Sequence, residues 1–315
     1  MTMAGRSRRK YDEPPLEYSE QLQRLKNRGL KIEDEKKALH LLENISYFRL
    51  SAYWYPLIAE PKSLKIFKDG ASFNNAFQLY CFDRELRQLV SSELEKIEVA
   101  IRAKMIYILS HKYGPFWYND KTLFKNQKSY DESIEKLRVE RDRSDEVFIK
   151  QFSEIYSDPL PPSWMILEIS SFGNLSSFYY NLMSCPEKRL IANHSGLGEQ
   201  VFESWLHCFV YIRNLCAHHL RLWNRILRIS PQIPLSPSGQ WIKVTSIGDP
   251  AKKGKLVKIN NRTYFLLSML IYLLNTINPK HKFSSKFRSL LKKYEIIDVR
   301  AMGFPLEWQS EELWN

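Results

Sequence analysis

Glycine is scarce, with 11 in 315 residues, and alternating apolar–polar runs are few. Both shortages argue against a sandwich or an α/β sheet, so the chain is predicted to be all-α. Cysteine is scarce too. Cys81, Cys185, Cys208 and Cys216 are far apart, with no C-x-x-C pair, which excludes a dense disulfide framework and predicts reduced thiols in a cytoplasmic protein. No zinc-ligand spacing occurs, so neither a metal nor another cofactor is expected.

Long hydrophobic runs are also missing. The longest, YFLLSMLIYLLNTI from Tyr264, falls short of the roughly 20 residues a spanning helix needs and contains Ser268, Asn275 and Thr276. It reads as a buried core helix, and the basic N-terminus lacks the apolar stretch of a secretory signal. A soluble protein without a membrane partner is therefore expected.

What the chain does have is a 44% hydrophobic and 13% aromatic content, enough to bury a large core, and a formal net charge of +12. Such a field attracts polyanions, of which nucleic acid is the commonest. Residues 1–18 read as a basic arm with Arg6, Arg8, Arg9 and Lys10, residues 19–60 as a helical segment, and residues 61–315 as a helical domain. Within that domain, proline, glycine and short extended pieces between Ile229 and Asn261 predict a loop or hairpin insertion.

Residues 73–111 carry the strongest helical pattern. Leu79, Phe82, Leu86, Leu89, Leu94, Ile97, Ile101 and Met105 recur at three- and four-residue steps, the spacing of a core stripe. Glu98 stands four residues before Arg102, which suits a same-face ion pair that could orient a site. YFRLSAYWYP, Tyr47 to Pro56, interleaves rings with Arg49; a base-stacking strip is one reading, and core anchoring is favoured. The mixed charges of residues 129–148 predict a solvated helix without chemistry.

RNLCAHHLRLWNR, Arg213 to Arg225, is the densest chemistry in the chain. On a helical wheel of about 100° per residue, Arg213, Asn214, His218, Arg221, Asn224, Arg225 and Arg228 share an arc of roughly 140°. Leu215, Cys216, Leu220, Leu222, Trp223, Ile226 and Leu227 take the other side, with His219 among them as a structural histidine. The cationic face has no carboxylate of its own, so it awaits an anion from elsewhere, with Glu95 and Glu98 as internal possibilities.

His218 is the one group on that face able to exchange a proton near neutral pH. With Arg213 and Asn214 it offers what metal-independent RNA cleavage requires: a proton-transfer group and fixed donors for the negative phosphorane. RNA brings its own nucleophile, the 2′-hydroxyl. One histidine is half of an acid–base pair, which suggests a homodimer.

RNLCAHHLRLWNR resembles the Arg-Asn-x-x-x-His signature of HEPN ribonucleases, specifically the abortive-infection AbiD/AbiF-like group. The resemblance extends through YFRLSAYWYP, LYCFDRELRQLVSSELEKIEVAIR, PPSWMILEISSFGNLSSFYYNL and MGFPLEW in the same order. It implies a dimeric HEPN helical bundle with Arg213 and His218 as catalytic pair and Asn214 as the polar residue after the arginine. It further implies cyclic-phosphate and 5′-hydroxyl products, a part in phage defence, and restraint by a small structured RNA. Arg221, Asn224, Arg225 and Arg228 would extend the phosphate-binding face. Two other readings compete: a non-catalytic RNA-binding HEPN protein, and a structural helical protein whose arginines pair with acids across an interface.

Overall fold

A computed structural model describes residues 10–248 and 255–315. Arg6, Arg8, Arg9, Lys252 and Lys253, of interest for their charge, lie outside the described residues. The described residues form twelve α-helices and one two-stranded ribbon, so the all-α expectation holds. The chain divides into two compact units, Met1–Phe82 and Asp83–Asn315.

The first unit contains α1 (Tyr18–Lys26), α2 (Glu35–Ile45), α3 (Tyr47–Trp54) and the opening turns of α4 (Phe73–Tyr113). Local chemistry sets these boundaries. The Glu17 backbone N–H donates to the Glu20 carboxylate at 2.7 Å in a capping box, and Asp34 accepts the Lys37 N–H at 2.9 Å to start α2. Leu22, Leu25, Leu42, Leu50, Tyr53 and Trp54 are buried. YFRLSAYWYP is thus split: Tyr53 and Trp54 anchor the core as expected, while Phe48 and Tyr55 face outward.

The second unit holds the rest of α4, then α5 (Gln127–Arg143), α6 (Val147–Ile155), α7 (Ser163–Ile169), α8 (Phe172–Asn181), α9 (Pro186–His194) and α10 (Glu199–Ala217). The stripe on α4 is buried through Leu86, Leu94, Ile97, Ile101 and Met105 as its spacing predicts. Val90 is buried and Leu89 is half-buried, because the 3.6-residue period favours the former over so long a helix. The charged stretch read as one helix over 129–148 breaks after Arg143, and α6 restarts at Val147.

The expected hairpin appears as β1 (Ser246–Gly248) paired antiparallel with β2 (Leu256–Lys258), Ile247 opposite Val257. α11 (Thr263–Ile277) follows, buried on every face from Thr263 to Leu274, and then α12 (Phe283–Lys293). None of the helices, among the described residues, is long and apolar enough to cross a membrane.

The chain's end closes over α11. Trp314 stacks on Tyr264 with ring centres 5.8 Å apart and donates its indole N–H to the Ser268 hydroxyl at 3.1 Å. Gly303 makes the turn leading there, at φ 87°, where a Cβ would lie 2.5 Å from the Arg262 Cβ.

Candidate functional site

α10 buries Phe202, Trp205, Leu206, Phe209, Ile212 and Leu215 along one face. The sequence therefore forces Arg213 and Asn214 to the other face, and both are exposed at its last turn, followed by exposed His218. His218 is the C-cap: its backbone N–H donates to the Asn214 carbonyl at 2.9 Å.

The helix stops there. His219 adopts φ 56°, its N–H reaches the Cys216 carbonyl at 3.0 Å, and the Leu220 N–H reaches Leu215 at 3.0 Å. These two bonds form a Schellman closure with histidine in the left-handed position that glycine usually fills. The wheel drawn through Arg228 is therefore corrected. Arg213, Asn214 and His218 belong to the helix and its cap, whereas Arg221, Asn224, Arg225 and Arg228 lie in the loop that follows. His219 is likewise exposed at the turn, not set on an apolar helical face.

Asp83 fixes that loop. The carboxylate is fully buried on α4, and one oxygen accepts the Leu222 N–H at 3.0 Å and the Trp223 N–H at 2.5 Å. The other oxygen ion-pairs with buried Arg87 one turn along the helix. Leu222 and Trp223 are consequently buried in the loop, the Thr263 hydroxyl donates to the Leu222 carbonyl at 3.3 Å, and Asn224 takes φ 49°. The Arg225 guanidinium donates to the Arg221 carbonyl at 3.2 Å, which gathers these two arginines in one turn of the loop. Sequence reasoning missed Asp83; its available signal was an acid and an arginine four residues apart beside an apolar stripe.

Glu98 supplies the internal anion anticipated for Arg213. Its Oε2 lies 4.0 Å from the Arg213 Nε, and its Oε1 lies 2.8 Å from Arg102 Nη2. Buried Arg102 also donates to the carbonyls of Glu168 at 2.5 Å and Ser170 at 3.0 Å, tying α4 to the end of α7. Glu98 is only 16% exposed, whereas Arg213 is 48% exposed, so the carboxylate orients the arginine from within while leaving much of it open to solvent. Burial raises the Glu98 pKa above the usual value; the charges of Arg102 and Arg213 pull it back in part. Glu95, the other possibility, is exposed.

The arrangement thus presents an oriented guanidinium, an amide and an imidazole at one helix end, followed by a loop carrying further arginines. Such a set offers positive charge and hydrogen-bond donors to an anion, beside an imidazole that can carry a proton. No group of three or more His, Cys, Asp or Glu among the described residues could hold a metal ion.

The family model for Abi-like protein matches residues 40–224, a span that begins ahead of α3 and ends at Asn224 in the loop held by Asp83. The chain belongs to the Abi-like protein family. No curated protein and no solved structure matches it.

Proposed function

We propose that the chain is a metal-independent endoribonuclease of HEPN type that acts in abortive infection, the phage-defence role its family membership suggests. The observation that carries this reading is the turn at the end of α10: Arg213, oriented by half-buried Glu98, stands five residues before an exposed imidazole, with Asn214 between them.

RNA's 2′-hydroxyl attacks the adjacent phosphorus, the bond to the 5′-oxygen breaks, and a cyclic phosphate and a 5′-hydroxyl result. His218 moves a proton, either from the 2′-hydroxyl or to the departing oxygen. Arg213 stabilises the phosphorane charge, and Asn214 positions the phosphate or His218. Arg221, Asn224, Arg225 and Arg228 grip flanking phosphates from the loop. A second protomer contributes the complementary histidine in a homodimer, and a small structured RNA holds the toxin in check.

Wild type and His218→Ala, incubated with total cellular RNA in chelator, test this. Cleavage by wild type alone, with cyclic-phosphate ends, is expected. Intact RNA with both proteins after co-purifying RNA has been stripped overturns it, leaving an RNA-binding protein if RNA still associates.

A further inference from the structure

The first unit contains a groove of about 710 Å³, built from the ends of α1, α3 and the turns on either side. Buried Trp54 and Ile58 form its apolar base, and Tyr47 stands edge-on to Trp54 with ring centres 4.9 Å apart. Three further rings of the lining face solvent: Tyr11 is 80% exposed, Phe48 is 88% exposed and Tyr55 is 53% exposed. A phenylalanine left that open contributes almost nothing to the core.

Cations surround these rings. Arg24, Arg28, Lys62 and Lys65 line the groove, against Glu13 as its acid. The Arg28 guanidinium donates to the Tyr47 hydroxyl at 3.1 Å, and the Lys62 ammonium lies 5.6 Å from the centre of the Tyr55 ring. Positive charge is thus fixed beside aromatic faces and edges within one concave surface.

We propose that this groove binds single-stranded RNA, with unpaired bases stacked on Phe48 and Tyr55 and phosphates held by Arg24, Arg28, Lys62 and Lys65. A ring face takes any base, and the flanking cations follow the backbone. Single strands are selected because a duplex hides its base faces within its own stack. The volume lies in the range of preformed small-ligand sites and accommodates a nucleotide rather than a helix of RNA. An acidic peptide would use the cations and leave the open rings idle. All the groove's residues lie in the first unit, so the proposal stands whether or not His218 cleaves RNA.

The test is fluorescence anisotropy of a labelled single-stranded oligoribonucleotide, with the full chain carrying His218→Ala, in chelator and over a series of salt concentrations, variants being compared at the same salt. The combined Phe48→Ala and Tyr55→Ala variant should weaken binding at least about tenfold, since each stacked base contributes roughly fivefold or more. Phe48→Trp should retain binding, and Arg24→Gln with Arg28→Gln should weaken it and flatten its salt dependence. Duplex RNA of the same sequence should compete poorly. Unchanged affinity in the ring variants overturns the proposal, as does equal competition by duplex or binding that falls only with Arg221→Ala and Arg225→Ala. Because Phe48 is exposed, its variants should melt with the parent, separating lost binding from lost folding. Intact RNA in the cleavage assay together with ring-dependent binding here would overturn the nuclease and keep the groove.

Discussion

Buried Asp83 accepts the backbone N–H of Trp223 at 2.5 Å, across 140 residues of chain. It thereby determines where the segment after His218 goes. A side chain that holds two amides and one guanidinium without access to water is expensive to remove, because each partner is then left unpaired. Asp83→Ala is expected to destabilise the protein by about 3–5 kcal/mol in urea denaturation, the range for breaking one side of a buried ion pair. Adding Arg87→Met should restore part of that loss by removing the orphaned charge. Full restoration would show that the Leu222 and Trp223 amides do not depend on Asp83.

Glu98 gives a pH-dependent prediction. Its folded-state pKa is raised above 4.5, chiefly by burial, so the folded chain binds this proton more tightly than the unfolded one. The associated stability is complete below the unfolded value and is lost as pH rises through the folded value. Glu98→Gln removes that loss. The melting temperature of the variant relative to wild type should therefore increase between about pH 4 and pH 7, and a relative decrease would contradict the assignment.

Two thiols on α10 should be inert. Burial pushes Cys208 up to about 12 and Cys216 up to about 11, so neither supplies thiolate near neutral pH. Mass spectrometry after alkylation of the native protein should find both unmodified, with modification appearing only on unfolding. Rapid labelling of either in the folded state would show that α10 opens locally.

Much of the helical order was legible because the apolar residues of α4 and α11 repeat or cluster with too few breaks to form anything else. Ile97, Ile101 and Met105 are buried as their spacing requires, and the run from Tyr264 is the core helix its apolar character implies. Arg213, Asn214 and His218 were legible for the same reason: burying Ile212 and Leu215 leaves them outside.

The sequence by itself determined the helices and the chemistry placed at the end of α10, because side-chain period and residue type are local properties. Where α10 stops was decided by tertiary structure. The wheel had no reason to end at His218, since no glycine follows, yet His219 turns left-handed and Asp83 draws the next amides into its own buried bonds. Those bonds place Arg221, Asn224, Arg225 and Arg228 in a loop instead of on a helix. The same holds for YFRLSAYWYP, where only the packing of α3 decides that Tyr53 and Trp54 turn inward while Phe48 and Tyr55 remain in solvent. Local pattern fixes which residues share an element; buried polar partners far away in the chain fix where it ends and what it faces.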